Sequence, residues 1–419
     1  MIKNPFIKKY PTTLINKEFT WFVAARILFI AGLRMTPVLL GWRLYEITGS
    51  KLSLGILGLS EVIPAIALAL PAGVRVDKSN KHKLLSLCIV LYFFLMLCLL
   101  GITSLWMEAH SSKKLIEWGI FAVVFGTGIV RAYTGPAFNA FLAQLVPQES
   151  LVKAVSINSM VWLIAAVAGP SIAGPLIAYT NITIAFIIVC AFLMAGFFVF
   201  QKIAPKPVSW QPGMGKGNNK TWGAVKEGLQ FVFKQKALLG ALSLDMFAVL
   251  FGGAVALLPV FASDILHVGP QGLGWLVSAT YLGNFIAIAW LTSKPLKKNQ
   301  GRSLLYVVTG FGLCILVFAI SKNFWLSFAA LLISGLFDGV SMIIRGTIVQ
   351  LFVPDSMRGR VSSVNSIFVN SSNELGQFES GVSADIMGTR ASVLFGGCMT
   401  LLVVIITWIK APKLRKFEY

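Results

Sequence analysis

Long apolar runs alternate along the chain with short polar segments that are mostly basic. Twelve runs are legible, near 19–41, 52–73, 84–107, 115–135, 155–178, 183–201, 237–262, 271–292, 303–320, 324–348, 361–387 and 391–409. Most approach or exceed the ~20 residues that a helix needs to cross the hydrocarbon of a bilayer. The pattern predicts an all-α membrane protein with twelve transmembrane helices. The eleventh run is unusual, because NSSNELGQFESG (370–381) sets two carboxylates among amides and hydroxyls where its surroundings read as lipid.

Composition agrees with the pattern. Hydrophobic residues make up 56% of the 419, charged residues 12%, and the mean hydropathy is +0.79. Soluble chains carry roughly 25% charged residues. The net charge of +20 could suggest nucleic acid, but its placement excludes that partner. Of 36 Lys and Arg, 26 lie in the N-terminus, the even-numbered loops or the C-terminus. Six lie at or in the odd-numbered loops, and four arginines fall inside spans. Positive residues mark the cytoplasmic side, so both termini are expected there, in a multi-pass protein of the bacterial inner membrane. The first run is long, contains arginines and lacks an obvious cleavage site, which reads as a retained helix rather than a signal peptide. All five cysteines fall within apolar runs, where thiols pack inertly and imply no disulfide framework.

The chain is expected to divide into a six-helix bundle over 1–201, a cytoplasmic linker over 202–236 and a second six-helix bundle over 237–419. Residues 201–220 are rich in Gly, Pro, Lys and Asn, the composition of a flexible linker. The following stretch places Trp222, Val225, Leu229 and Val232 on one helical face, which suits a helix lying at the inner membrane surface or packed on the protein. The halves repeat at an offset of 207: Val146, Pro147, Ser156, Asn158 and Ser159 match Val353, Pro354, Ser363, Asn365 and Ser366, and Gly169 and Gly174 match Gly376 and Gly381. Two parallel six-helix repeats are characteristic of secondary transporters, with a substrate site between them near the midplane.

Between the second and third runs, GVRVDKSNKHK carries Gly73, Asp77, Lys78, Lys81 and Lys83 in the spacing Gly-x-x-x-Asp-(Arg/Lys)-x-Gly-(Arg/Lys)-x-(Arg/Lys). Here the sequence resembles the major facilitator superfamily. Asn80 replaces the usual second glycine, and Asn tolerates a left-handed backbone better than most residues. The resemblance implies a gate in which Asp77 faces a helix N-terminus and latches the halves together, a favourable placement for an anion. The corresponding loop of the second half, SKPLKKNQGRS, lacks the acid. Arg131 and Gly135 resemble the family's Arg-x-x-x-Gly motif. Gly169, Pro170 and Gly174 approximate its antiporter motif, although small residues and a proline also serve close packing and a local bend. The strings LVPQESLVKAVSINS, DMFAVLFGGAVALLPVFASDILHVGPQGLGWL and VPDSMRGRVSSVNSIFVNSSNELGQFESG resemble siderophore and drug exporters of the enterobactin-exporter type.

The intramembrane charges are the candidate chemistry: Arg26, Arg34, Glu61, Arg131, Asp245, Asp338, Arg345, Glu374 and Glu379. Each costs ~2.5–3.5 kcal/mol at the centre of a span even on the lenient insertion scale, so each should meet a partner or a wet cavity. At 1.5 Å per residue, Glu374 lies ~20 Å and Glu61 ~14 Å from the start of its run. The resemblance sets helices 2 and 11 against each other across the halves, which implies that Glu61 and Glu374 reach a central site with Arg34 as counter-charge. Asp338 and Arg345, seven residues apart on one face, could pair or recruit groups from helix 4. Asn370, Asn373 and Gln377 share roughly the face of Glu374 and could bond a polar substrate. A carboxyl in a low-dielectric cavity holds its proton more tightly than one in water. Glu374 or Glu61 is therefore the expected proton carrier, with Arg26, Arg34 or Arg131 for an anionic or catechol-like group.

These readings converge on a proton-coupled exporter of siderophore-like or drug-like small molecules that acts as a monomer, with the proton gradient as energy source and no cofactor or metal. Importers and lipid flippases share the fold, and a receptor could retain it without transport. An intramembrane enzyme is disfavoured, since His82, His110 and His267 are scattered on loops and no His-Glu-x-x-His or Gly-x-x-x-x-Gly-Lys-(Ser/Thr) pattern occurs.

Overall fold

In the computed structural model, which describes residues 16–207, 221–294, 298–354 and 357–418, twelve long helices account for the apolar runs. They are α1 (Lys17–Thr48), α2 (Lys51–Lys78), α3 (Lys81–Ile102), α4 (Lys113–Leu145), α5 (Leu151–Tyr179), α6 (Ile182–Phe200), α7 (Lys236–Gly252), α8 (Gly269–Ser293), α9 (Gln300–Ile320), α10 (Phe324–Phe352), α11 (Arg358–Met387) and α12 (Thr389–Lys410). Among the described residues no strand is present, and eleven segments are long and apolar enough to span a membrane. The exception is α11, whose amides, hydroxyls and carboxylates lower its apolarity while its length suffices.

Polar residues start the helices. The side chains of Asn16, Ser50, Asn80, Ser112, Asn181 and Asn323 each accept from a backbone N–H two or three residues on, satisfying donors that the first turn leaves free. The gate motif differs from its expected loop form. α2 runs through Lys78, so only Ser79 and Asn80 separate it from α3. Asn80 has an ordinary extended backbone, φ −69°, and caps α3 by accepting from Lys83 N at 3.1 Å. The left-handed asparagine is in the other half: Asn299, just before α9, has φ +55°.

The seventh run does not form one continuous helix. α7 stops at Gly252, and the chain continues through a 3-10 stretch (Ala254–Leu257), a short turn (Leu258–Val260) and a π-helical turn (Phe261–Ile265). Of the linker, residues 208–220 lie outside the described residues, as do the side chains of Trp222 and Val225. The rest of its helix (Thr221–Lys234) packs on α11 and α7, with Val232 fully buried.

Helix pairing repeats with a shift of six. In the first half α1 packs on α5 and α6, α2 on α4, and α3 on α4 and α6. In the second, α7 packs on α11 and α12, α8 on α10, and α9 on α10 and α12. Across the halves α2 meets α11 and α5 meets α8. Glycines at the 207 offset occupy matching crossings. A Cβ on Gly169 would lie 2.7 Å from Arg34 Cβ of α1, and one on Gly376 2.8 Å from Leu250 O of α7. A Cβ on Gly174 would lie 2.9 Å from Gly274 Cα, and one on Gly381 2.8 Å from Gly55 Cα. These last two contacts bring the halves together on the face opposite the termini.

Candidate functional site

A cavity of about 750 Å³ lies between the halves, lined by α1, α2, α3, α4, α5, α8, α11 and the broken end of the seventh span. At its centre Arg131 of α4 donates to Glu61 Oε1 of α2 at 2.9 Å and to Glu374 Oε1 of α11 at 3.2 Å. Its guanidinium therefore ties two helices of the first half to one of the second. Glu374 is 8% exposed, while the Arg131 and Glu61 side chains keep 37% and 32% of their surface accessible. The cavity thus wets the arginine and Glu61 and reaches Glu374 only past them. Gln377, one turn on, donates to Glu374 Oε2 at 2.8 Å, so both oxygens of the buried carboxylate are engaged. Gln377 in turn rests on Gly58, where a Cβ would approach its Oε1 to 3.0 Å.

Arg34 lines the same cavity, near enough to Glu374 to act on it as an opposite charge, but among the described residues it forms no salt bridge with either glutamate. Its guanidinium lies 4.6 Å from the ring centre of Trp162 and 5.6 Å from that of Tyr281, and Nη1 donates to the Tyr281 hydroxyl at 3.4 Å. Cation–π contacts of this kind stabilise a desolvated guanidinium by ~2 kcal/mol. Sequence reasoning missed Trp162 and Tyr281 because it ranked charges only. Their signal is an amphipathic aromatic in mid-span, which needs a polar partner when buried. The two arginines and two glutamates balance, so the cavity carries aromatic and apolar walls with paired charge at its centre.

The other expected site residues fall elsewhere. Asp245 is 5% exposed and pairs with Arg345 Nη1, and Asp338 lies 3.9 Å from Arg345 Nη2. All three sit inside the second half, away from the central cavity, because α7 and α10 turn these side chains toward each other. Arg345 thus recruits α7, where the sequence suggested helix 4. Arg26 is one step further along the cavity stripe of α1, its guanidinium 4.8 Å from the Phe138 ring centre and without an acidic partner. Asn373 is exposed and donates to the Val369 carbonyl of its own helix at 2.9 Å, so it does not line the cavity. Glu379 is half-buried beside Ser383, outside the cavity lining. The side chain of Asn370 lies outside the described residues.

Among the described residues, the bonds between the halves lie at mid-depth or on the face opposite the termini. Ser171 and Ser278 meet at 2.8 Å, Tyr179 donates to Gln271 at 3.3 Å, Tyr45 to Asp264 at 2.5 Å, and Lys51 to the Ala384 carbonyl at 3.4 Å. Asp77 stands exposed at the end of α2, and among the described residues its backbone carbonyl accepts from Lys81 Nζ at 2.9 Å. The side chains at the start of α11 (residues 358–360), across the halves from this end of α2, lie outside the described residues; the described bonds between the halves close the cavity away from the termini.

Known proteins share this arrangement. The chain is 23% identical over 376 residues to the MFS-type transporter YfiS of Bacillus subtilis, covering 87% of this chain and 86% of that one. It is 23% identical over 400 residues to the multidrug efflux pump Tap of Mycolicibacterium fortuitum, covering 93% and 94%. Among solved structures, a mutant of the nucleoside transporter NupG superposes with a TM-score of 0.76 at 12% identity, covering 94% of this chain and all of that one. A bacterial homologue of the iron transporter ferroportin in its inward-facing state gives 0.71 at 14% identity, covering 96% and 99%. The family model of the Major Facilitator Superfamily matches residues 22–376, and with its twelve helices around one central cavity the chain belongs to that superfamily of membrane transporters.

Proposed function

We propose that the protein is a proton-coupled exporter that moves amphipathic drug-like or siderophore-like molecules out of a bacterial cell across the inner membrane, with both termini in the cytoplasm. The excess of Lys and Arg in the N-terminus, even-numbered loops and C-terminus supports that orientation. With it, the cavity opens inward, ready to load from the cytoplasm. Apolar and aromatic walls around balanced charges suit a molecule with a large apolar body and a small polar or charged group, and Tap-type relatives are named multidrug efflux pumps.

The observation that carries the reading is the bridge from Arg131 to Glu61 and Glu374. While Glu374 is ionised, it is held to α4 across the halves. Protonation, or a cationic group on the substrate, removes the reason for that contact and frees α11 to move with its own half. Loading, proton release and the swing of the halves then act on the same three side chains.

Everted membrane vesicles test this with a fluorescent cationic dye. An acid interior should drive dye uptake by the wild type, whereas Glu374→Gln, expressed to the same level, should lose the gradient-driven part by at least tenfold. Unchanged pH-driven transport in Glu374→Gln would remove that residue from the coupling. Uptake confined to right-side-out vesicles would reverse the direction.

A further inference from the structure

A second polar pocket lies wholly within the C-terminal six helices. It measures about 10 Å³, and Asp245 of α7 and Asp338 and Ser341 of α10 line it together with apolar side chains such as Val308 and Phe311 of α9. That is room for one sphere the size of a water molecule. Asp338 stands halfway along α10, fourteen residues from either end, so the pocket sits at mid-membrane depth.

The bonding around it is incomplete in a specific way. Arg345 pairs with Oδ2 of Asp245, and Asn284 Nδ2 donates to Oδ2 of Asp338 at 2.9 Å. Oδ1 of Asp338 has only Arg345 Nη2 at 3.9 Å, beyond hydrogen-bond reach. The Ser341 hydroxyl is buried, its residue 3% exposed, and has no hydrogen-bond partner. Buried hydroxyls are normally bonded, and an orphan facing a small void marks a missing partner. The charge is also incomplete: two carboxylates face one guanidinium. No other ionisable side chain among the described residues lines the pocket or pairs with these three. A surplus negative charge inside a membrane bundle is neutralised by a bound cation or a proton, and the unpartnered Ser341 oxygen beside it favours the cation.

We propose that this pocket binds one monovalent metal cation of sodium's size between Asp245, Asp338 and Ser341. The donors are all oxygens, which suits a hard ion, and no His or Cys is present to favour a softer one. One positive charge neutralises the cluster. A divalent ion would leave an excess and would need more oxygens than the pocket offers. The Asp338 side chain keeps 33% of its surface accessible. A bound ion ties α7 to α10, and the segment just after the break in the seventh span, including Val255 and Pro259, lines the central cavity. The ion would therefore act as a co-ion that sets one wall of the substrate site. The site is distinct from the Arg131 bridge and does not depend on the proton reading.

The test uses the purified full-length chain at fixed pH and ionic strength, exchanging choline chloride for sodium chloride while following the melting temperature and binding of radioactive sodium. The expected result is a saturable rise in melting temperature with one sodium bound per chain. Ser341→Ala should weaken the apparent affinity on the order of tenfold. Asp338→Asn keeps the shape and removes the surplus charge, so it should lose the sodium response while melting no lower than the sodium-free wild type. Glu374→Gln should retain the response. No saturable sodium effect, or one that persists in Asp338→Asn, would overturn the site. Stabilisation by acid alone, lost in Asp338→Asn, would show that the pocket takes a proton and would equally overturn the sodium assignment.

Discussion

At the scale of single residues, Arg131 has the most demanding position. It is the described cation that reaches the buried Glu374 carboxylate directly, at 3.2 Å. Removing the partner of a buried carboxylate leaves an uncompensated charge, which costs ~3–5 kcal/mol in a dry interior and less here, where the cavity reaches the 37%-accessible arginine. Arg131→Ala should therefore lower the melting temperature. The double variant Arg131→Ala, Glu374→Gln should regain much of the loss, because the buried carboxylate is gone and the remaining Glu61, 32% of its side chain accessible, faces the cavity. Melting of the three purified variants checks this, and an additive double variant would show that the two side chains do not depend on each other. The carboxylates of this bridge were legible in the sequence, because an acid inside an apolar run announces its own cost. Its partner was not. Arg34 and Arg131 are equally intramembrane by count, and only helix packing decides that Arg34 points to Trp162 and Tyr281 while Arg131 reaches both glutamates.

At the scale of elements, the glycines explain how the halves touch. The Gly-Pro-x-x-x-Gly stretch of α5 was legible as a motif, yet its two glycines do different work. Gly169 admits α1 within its own half, and Gly174 admits α8 from the other. Spacing along one helix cannot reveal this, because it depends on which neighbour crosses at each turn. A Cβ on Gly174 would also come within 2.6 Å of the Pro270 carbonyl, a backbone atom with little freedom to yield. Gly174→Ala should thus prise α5 from α8 and bias the protein toward opening on the face opposite the termini. A cysteine introduced at Ser278, which is 3% exposed and now shares a hydrogen bond with Ser171 across the same crossing, should react several-fold faster with a membrane-impermeant thiol reagent in the Gly174→Ala background. Equal rates would mean that the crossing does not hold that face shut. The break in the seventh span at Gly252–Gly253 escaped the sequence reading for a related reason: hydrophobicity stays high through it, and apolar runs carry no mark of where hydrogen bonding changes step.

At the scale of the whole molecule, the empty spaces beside glycines are as informative as the crowded ones. Among the described residues, nothing lies within 4 Å of where a Cβ would stand on Gly73, Gly135 or Gly346. Gly73 lies in the last turns of α2, Gly135 in the second half of α4 and Gly346 near the end of α10, all toward the face that carries the termini. Packing in this conformation does not require glycine there. If the halves rock so that the crossings of α2 with α11 and α5 with α8 part on the far side, the open face must close, and these surfaces become the approaching ones. A large side chain would be accommodated now and would clash after closure. Gly73→Leu should therefore fold with a melting temperature close to the wild type, while losing most transport and retaining substrate binding from the terminus side. Gly73→Ala should be affected far less. The comparison needs transport and dye binding measured on the same purified variants. Transport by Gly73→Leu at the wild-type rate would mean that this end of α2 never meets the other half.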